Sequence, residues 1–147
     1  MRKTIRAEAT IAASAGTLFA SLADYERADV FIEGLERLSP VTAQTTGEGA
    51  EFEAVLDIGI RTLQTRIVIT SYQPDRAITW SSATEDGQSL FFQLEPVPDG
   101  TAVTLEVSYQ EPGGLAGALV APFVERTVRH RADTALERLA DHLSPPE

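Results

Sequence analysis

The 147-residue chain contains no cysteine. This absence excludes a disulfide framework, a thiolate nucleophile and any metal site built on cysteine ligands. The sequence also lacks a glycine-rich phosphate loop after a strand, a His-x-x-x-His pair and a Gly-x-Ser-x-Gly elbow. We therefore expect no metal site and no cofactor, and function has to come from less specialised side chains.

Long apolar runs and positive charge are scarce as well. The longest apolar run, 115–124, has about half of the ~20 residues that a membrane-spanning helix requires. The N-terminal residues lack the apolar segment of a secretory signal, so a cytoplasmic location is the expectation. The formal net charge of -10 repels phosphate backbones. We expect no membrane span, no nucleic-acid partner, and a monomer or weak homodimer.

The chain is rich in segments that alternate between apolar and polar residues. Ile5, Ala7, Ala9 and Ile11 alternate with polar neighbours, which predicts a first strand. Ser14 caps a predicted short helix at 14–23, and Asp24 caps a second one. Turn signals then separate six more predicted strands, at 35–44, 50–58, 63–70, 78–82, 90–94 and 103–109.

About thirty residues after Gly113-Gly114 form a single predicted helix, apolar in its first half and charged in its second. A long helix laid across a curved sheet leaves space between the two, and the apolar face 115–123 is expected to form one wall of that space. The predicted fold class is α+β, in the order β-α-α-β6-α, with about seven antiparallel strands wrapped around the C-terminal helix. Residues 1–143 are predicted to be one domain and 144–147 a frayed tail.

The sequence resembles the START-like superfamily (SRPBCC), also called the helix-grip or Bet v 1-like fold, and within it the bacterial polyketide cyclase/dehydrase and lipid-transport group. The matching segments are 22–24, 31–35, 74–76, 100–104 and 112–115, with Leu136, Leu139 and Leu143 near the end. The resemblance implies a cavity and a lipophilic ligand. Members of the superfamily range from enzymes through lipid carriers to hormone receptors, so the resemblance alone leaves the activity open.

Strand alternation and the helix face together suggest a set of ligand-binding residues. Trp80, the only tryptophan, is the best candidate for stacking on a flat ligand, although a large aromatic in a strand is more often a core residue. The predicted lining consists of Phe52, Leu56, Ile67, Trp80, Phe92, Leu105, Tyr109, Leu115, Leu119 and Phe123.

Two polar residues are the candidates for catalysis or ligand orientation. The Tyr109 hydroxyl either orients a polar group of the ligand or lies at the rim of the core. The Arg131 guanidinium either grips a carboxylate or phenolate in the cavity or forms a surface ion pair. His130 is a weaker candidate for a general base, because its arginine neighbours indicate a solvated helix face.

Three functions are compatible with these patterns. The favoured one is a carrier or sequestering protein for a hydrophobic small molecule, lipid-like or polyketide-like. The alternative is a polyketide aromatase/cyclase or dehydratase that encloses its substrate in the same cavity. The polar set available to such an enzyme, Thr65, Ser82, Tyr109 and Arg131, is small beside the many apolar side chains. A partner-binding module with a fully packed interior is the third.

Overall fold

The computed structural model describes residues 2–57, 59, 61–83, 87–111 and 113–143. In chain order the elements are β1 (Arg2–Ile11), α1 (Ala15–Ala23), a 3₁₀ helix (Tyr25–Val30), β2 (Leu35–Pro40), β3 (Glu51–Asp57), β4 (Thr62–Gln73), β5 (Ala77–Ser82), β6 (Ser89–Val97), β7 (Gly100–Gln110) and α2 (Gly114–Leu143). The predicted α+β class and element order are confirmed.

The strands form one antiparallel sheet of seven strands in the order β1-β7-β6-β5-β4-β3-β2. Strand β7 carries buried residues at every second position, from Thr101 to Tyr109. Its partner β1 aligns Ile5 with Val107 and Ala7 with Leu105, so apolar side chains from both strands share the inner face. Helix α2 packs over these two strands and against the 3₁₀ helix.

Local capping explains how the short helices begin. The Ser14 hydroxyl accepts a hydrogen bond from the Thr17 N–H at 3.1 Å, as predicted for a helix cap. The Asp24 carboxylate accepts one from the Glu26 N–H at 2.9 Å and so starts the 3₁₀ helix. Helix α1 then places Leu18 and Leu22, both fully buried, against the side of the sheet formed by β5 and β6.

The structure corrects the extent of one predicted strand and the type of one predicted helix. The strand expected over 35–44 ends at Pro40, where the Thr42 hydroxyl turns the chain by donating to the Gln44 carbonyl at 2.6 Å and accepting from the Glu51 N–H at 3.1 Å. The second short helix is of the 3₁₀ type. Ile58, Asp86 and the predicted tail 144–147 lie outside the described residues.

No helix in the described part of the chain is both long enough and apolar enough to span a membrane.

The junction between the 3₁₀ helix and β2 depends on Gly34. This residue has φ of 81°, and its carbonyl accepts a hydrogen bond from the Asp57 N–H at 2.8 Å. A Cβ at this position would collide with the Asp57 carbonyl oxygen. Backbone strain and steric collision therefore both oppose any side chain here.

We expect Gly34→Ala to lower the free energy of unfolding by about 2 kcal/mol. Gly49 is the matched control, because it has φ of 95° but no atom within 4 Å of an added Cβ. Gly49→Ala carries only the conformational cost, about 1 kcal/mol. Urea denaturation followed by tryptophan fluorescence measures both. Equal losses would show that the collision with Asp57 is relieved by local movement.

Candidate functional site

Two adjoining cavities lie on the inner side of the sheet. The main cavity has a volume of about 470 Å³, and the helix-side cavity has about 110 Å³. The main cavity is lined by Ile32, Leu35, Ala54, Leu56, Leu63, Gln64, Thr65, Ile67, Trp80, Ser81, Ser82, Gly87, Gln88, Leu90 and Arg131. The helix-side cavity is lined by Phe31, Ile32, Glu33, Leu56, Gln88, Leu90, Leu105, Val107, Val128, Arg131, Ala132 and Ala135.

Strand register assembles the wall of the main cavity. Strand β3 aligns Ala54 with Thr65 and Leu56 with Leu63 on β4, while Ile67 is paired with Ser82 on β5. Because side chains on one face of a strand recur at every second residue, these cross-strand pairs point to the same side of the sheet. The result is a concave wall with a few hydroxyl groups among aliphatic side chains, which suits an apolar ligand.

Trp80 is held rigidly at this wall. Its indole Nε1–H donates to the Leu22 carbonyl at 3.0 Å, and only 2% of the residue is exposed. The ring centroid lies 5.5 Å from that of Phe52 and 6.2 Å from that of Phe31. Trp80 is therefore a core residue that also borders the main cavity, and its stacking on a flat ligand stays a prediction.

The predicted lining residues fall into three groups. Leu56, Ile67 and Trp80 border the main cavity, and Leu105 borders the helix-side cavity. A second group lies in the core without bordering either described cavity; it consists of Phe52, Phe92 and Tyr109.

The third group, Leu115, Leu119 and Phe123, is solvent-exposed, with relative exposures of 89%, 77% and 63%. The expectation that this face of the helix forms a cavity wall is wrong. Helix α2 is oriented by the buried residues of its second half, such as Val128 and Leu139. Successive residues are rotated by about 100°, so Leu119, nine positions before Val128, lies about 180° around the helix from it.

Several lining residues were not predicted. Ile32 belongs to the link after the 3₁₀ helix and Leu35 begins β2, where no clear periodic pattern marks the buried side. Leu90 alternates with Phe92, so the strand pattern contained a signal for it. Ala132 and Ala135 lie on the buried face of α2, but small alanines give a weak hydropathy signal.

Charged residues at the cavities are few. Arg131 borders both cavities, and Glu33 borders the helix-side cavity. The Arg131 Nε lies 3.6 Å from the Glu33 Oε2, and each side chain is 46% exposed. Arg131 therefore forms a surface ion pair and also borders the cavities, and its binding of an acidic ligand group stays a prediction. His130 is exposed and is not among the described lining residues of either cavity.

Residues 2–144 match the family described as polyketide cyclase/dehydrase and lipid transport. The chain belongs to this family. The resemblance inferred from the sequence is thereby confirmed over nearly the whole chain. No functionally curated protein matches the sequence.

Solved structures of the same fold include TTHA0849 from Thermus thermophilus, with a TM-score of 0.78 and 17% identity over 96% of this chain and 97% of that one. The Zhui aromatase/cyclase from Streptomyces sp. R1128 has a TM-score of 0.78 and 13% identity over 97% and 94% of the two chains. Ara h 8.0201 has a TM-score of 0.74 and 14% identity over 97% and 98%. The predicted helix-grip, Bet v 1-like fold is confirmed.

Tyr109 lies in the core beneath α2, opposite Lys3 on β1. Its hydroxyl is buried and has no hydrogen-bond partner among the described residues. Burial raises the pKa of this phenol above its usual range. The nearby Lys3 ammonium forms ion pairs with the carboxylates of Glu125 at 3.1 Å and Glu111 at 3.4 Å. A catalytic role for Tyr109 therefore stays a prediction, and its measurable effect is on stability.

We expect Tyr109→Phe to raise the free energy of unfolding by about 1 kcal/mol, because it removes a buried hydroxyl that lacks a partner among the described residues. Tyr72→Phe is the control, since the Tyr72 hydroxyl is 3.3 Å from the Thr46 hydroxyl and its removal breaks that hydrogen bond. Urea unfolding at pH 8 measures both variants. Destabilisation by Tyr109→Phe would mean that the hydroxyl has a partner in solution.

Because the pKa of Tyr109 is raised, the difference in unfolding free energy between the unaltered protein and Tyr109→Phe depends on pH. The folded protein keeps the phenol proton at a pH where the unfolded chain, with a tyrosine pKa of about 10, releases it. Stability therefore falls as the pH rises above about 10, and Tyr109→Phe is expected to lose less stability between pH 9 and 11. The pKa of Lys3, raised chiefly by its hydrogen bond to Glu125, acts in the same direction in both proteins.

Proposed function

We propose that this protein is a carrier or sequestering protein that holds a hydrophobic small molecule, lipid-like or polyketide-like, in the main cavity. The supporting observation is the cavity itself. Its volume of about 470 Å³ falls within the range of roughly 300–1,000 Å³ that is typical of small-molecule sites. Aliphatic side chains and Trp80 make up most of its wall.

The expected affinity follows from the surface that a ligand buries. If ligand and wall together lose about 400 Å² of apolar surface to water, the gross gain is roughly 10 kcal/mol. At least about 4 kcal/mol of that gain is lost to the restricted motion of the ligand, which leaves about 6 kcal/mol and a dissociation constant on the order of tens of micromolar. A carrier needs binding of this strength and also release, and it requires no catalytic group.

The alternative, an aromatase/cyclase or dehydratase, is favoured by the family and by the polar groups at the cavity. Thr65, Ser82 and Arg131 all border the main cavity. General acid–base catalysis requires a proton donor or acceptor within hydrogen-bond reach of the reacting atom, usually with a pKa near neutrality. Arg131 is the one ionisable side chain among the described lining residues of the main cavity, and an arginine does not exchange its proton near pH 7. We therefore favour binding over catalysis.

The carrier proposal predicts that filling the main cavity abolishes binding. Ile67→Trp places a larger side chain inside, while Val68→Trp makes a comparable change at the next residue, whose side chain projects from the opposite face of the strand. We expect Ile67→Trp to weaken binding of the neutral dye N-phenyl-1-naphthylamine at least tenfold, and Val68→Trp to change it less than twofold.

Dye emission, titrated against each variant, measures these dissociation constants. Equal binding by both variants, or no binding by the unaltered protein, would contradict the carrier proposal. Conversion of a poly-β-keto chain by the unaltered protein, lost in Ile67→Trp, would favour the cyclase alternative.

A further inference from the structure

The main cavity has an apolar wall with a single charged group among its described residues. That group is Arg131, which also borders the helix-side cavity. The two cavities share Ile32, Leu56, Gln88 and Leu90 as well, so Arg131 is one of the residues along which they adjoin. A ligand in the main cavity therefore has apolar contacts along its body and one cationic contact at Arg131.

The hydrogen-bonding capacity of Arg131 is largely unused. A guanidinium carries five N–H donors. Its one described contact is the ion pair with Glu33, in which the Arg131 Nε lies 3.6 Å from Oε2. This geometry is longer than a hydrogen bond, and both side chains are 46% exposed, so the pair is weak and easily replaced.

We propose that Arg131 binds the acidic group of the ligand in place of Glu33, so that the cavity selects amphipathic acids over neutral molecules of the same shape. This inference rests on the carrier function proposed above. A carboxylate, phenolate or sulfonate accepts N–H bonds from a guanidinium, and a carboxylate or sulfonate accepts two in parallel, which the single contact with Glu33 does not provide. Gln88 also borders both cavities, and a glutamine side chain carries an amide N–H donor.

An anionic ligand fits the cavity better than a cationic one. Glu33 borders the smaller, helix-side cavity, whereas Arg131 also reaches the main cavity where an apolar body fits. The net charge of -10 opposes anions at long range. That field is screened beyond about 10 Å at 0.1 M salt, so the local charge at Arg131 governs the bound state.

Glu33 then acts as an internal competitor. It occupies Arg131 when no acid is bound, and an incoming acid has to displace it. Substituting the cation and substituting the anion of this ion pair therefore have opposite effects on the affinity for acidic ligands. Arg131→Gln removes the binding group, whereas Glu33→Gln frees it.

The test compares two dyes that differ in one sulfonate. 1-Anilinonaphthalene-8-sulfonate is the anionic probe and N-phenyl-1-naphthylamine is its neutral counterpart. At 0.1 M salt we expect Arg131→Gln to weaken binding of the sulfonate about tenfold and Glu33→Gln to strengthen it about threefold. Both variants should bind the neutral dye within twofold of the unaltered protein. Arg129→Gln is the control, because it removes the same charge from an exposed residue whose guanidinium lies 3.5 Å from the Arg6 carbonyl.

The outcomes separate this inference from the function on which it rests. If neither dye binds, the carrier proposal fails and the acid site fails with it. Suppose that the neutral dye binds and that Ile67→Trp weakens its binding, but that Arg131→Gln and Arg129→Gln weaken binding of the sulfonate dye equally. The cavity is then retained as the binding site and the acid site is overturned. A specific loss in Arg131→Gln together with the gain in Glu33→Gln supports the acid site.

Discussion

One long helix packs on the inner face of a seven-stranded sheet that is much wider than the helix, and the rest of the structure follows from this difference in width. Neighbouring strands are about 4.8 Å apart, so seven of them span roughly 29 Å, whereas a helix with its side chains is about 10 Å wide. Helix α2 packs over β1 and β7, at one side of the sheet. The inner faces of β3, β4 and β5 consequently need other cover.

That cover is incomplete, and the main cavity is what remains. Helix α1 and the link after the 3₁₀ helix carry Phe19, Leu22 and Phe31 into the core on this side. Trp80 ties the arrangement together, because its indole N–H reaches the Leu22 carbonyl while its ring packs between Phe31 and Phe52. Beyond this aromatic cluster the described lining is aliphatic and polar, and the space stays open. Small residues on the buried face of α2, Ala132 and Ala135, extend the gap toward the helix.

Strand patterns in the sequence carried most of the information about the fold. The faces of β3, β4 and β7 were predictable because alternation is a local property of an extended chain: Ala54 and Ile69 are buried as the pattern indicates. The rotation of α2 was not predictable in the same way. Leu115, Leu119 and Phe123 are spaced like a buried stripe, but contacts of the distant second half of the helix determine which side faces the sheet.

The site was only partly predictable for a related reason. Lining residues on strands, such as Leu56 and Ile67, follow from alternation. Ile32 and Glu33 come from a non-periodic link, and only the tertiary fold brings them beside Arg131.

The carrier proposal requires that ligands occupy the interior and not the exposed apolar stripe of α2, which consists of Leu115, Leu119 and Phe123. Nuclear Overhauser effects between N-phenyl-1-naphthylamine and the labelled methyl groups of the protein test this directly. We predict contacts from the dye to the methyl groups of Leu56, Ile67 and Leu90, which border the main cavity. Contacts confined to Leu115 and Leu119, which are exposed, would contradict the account.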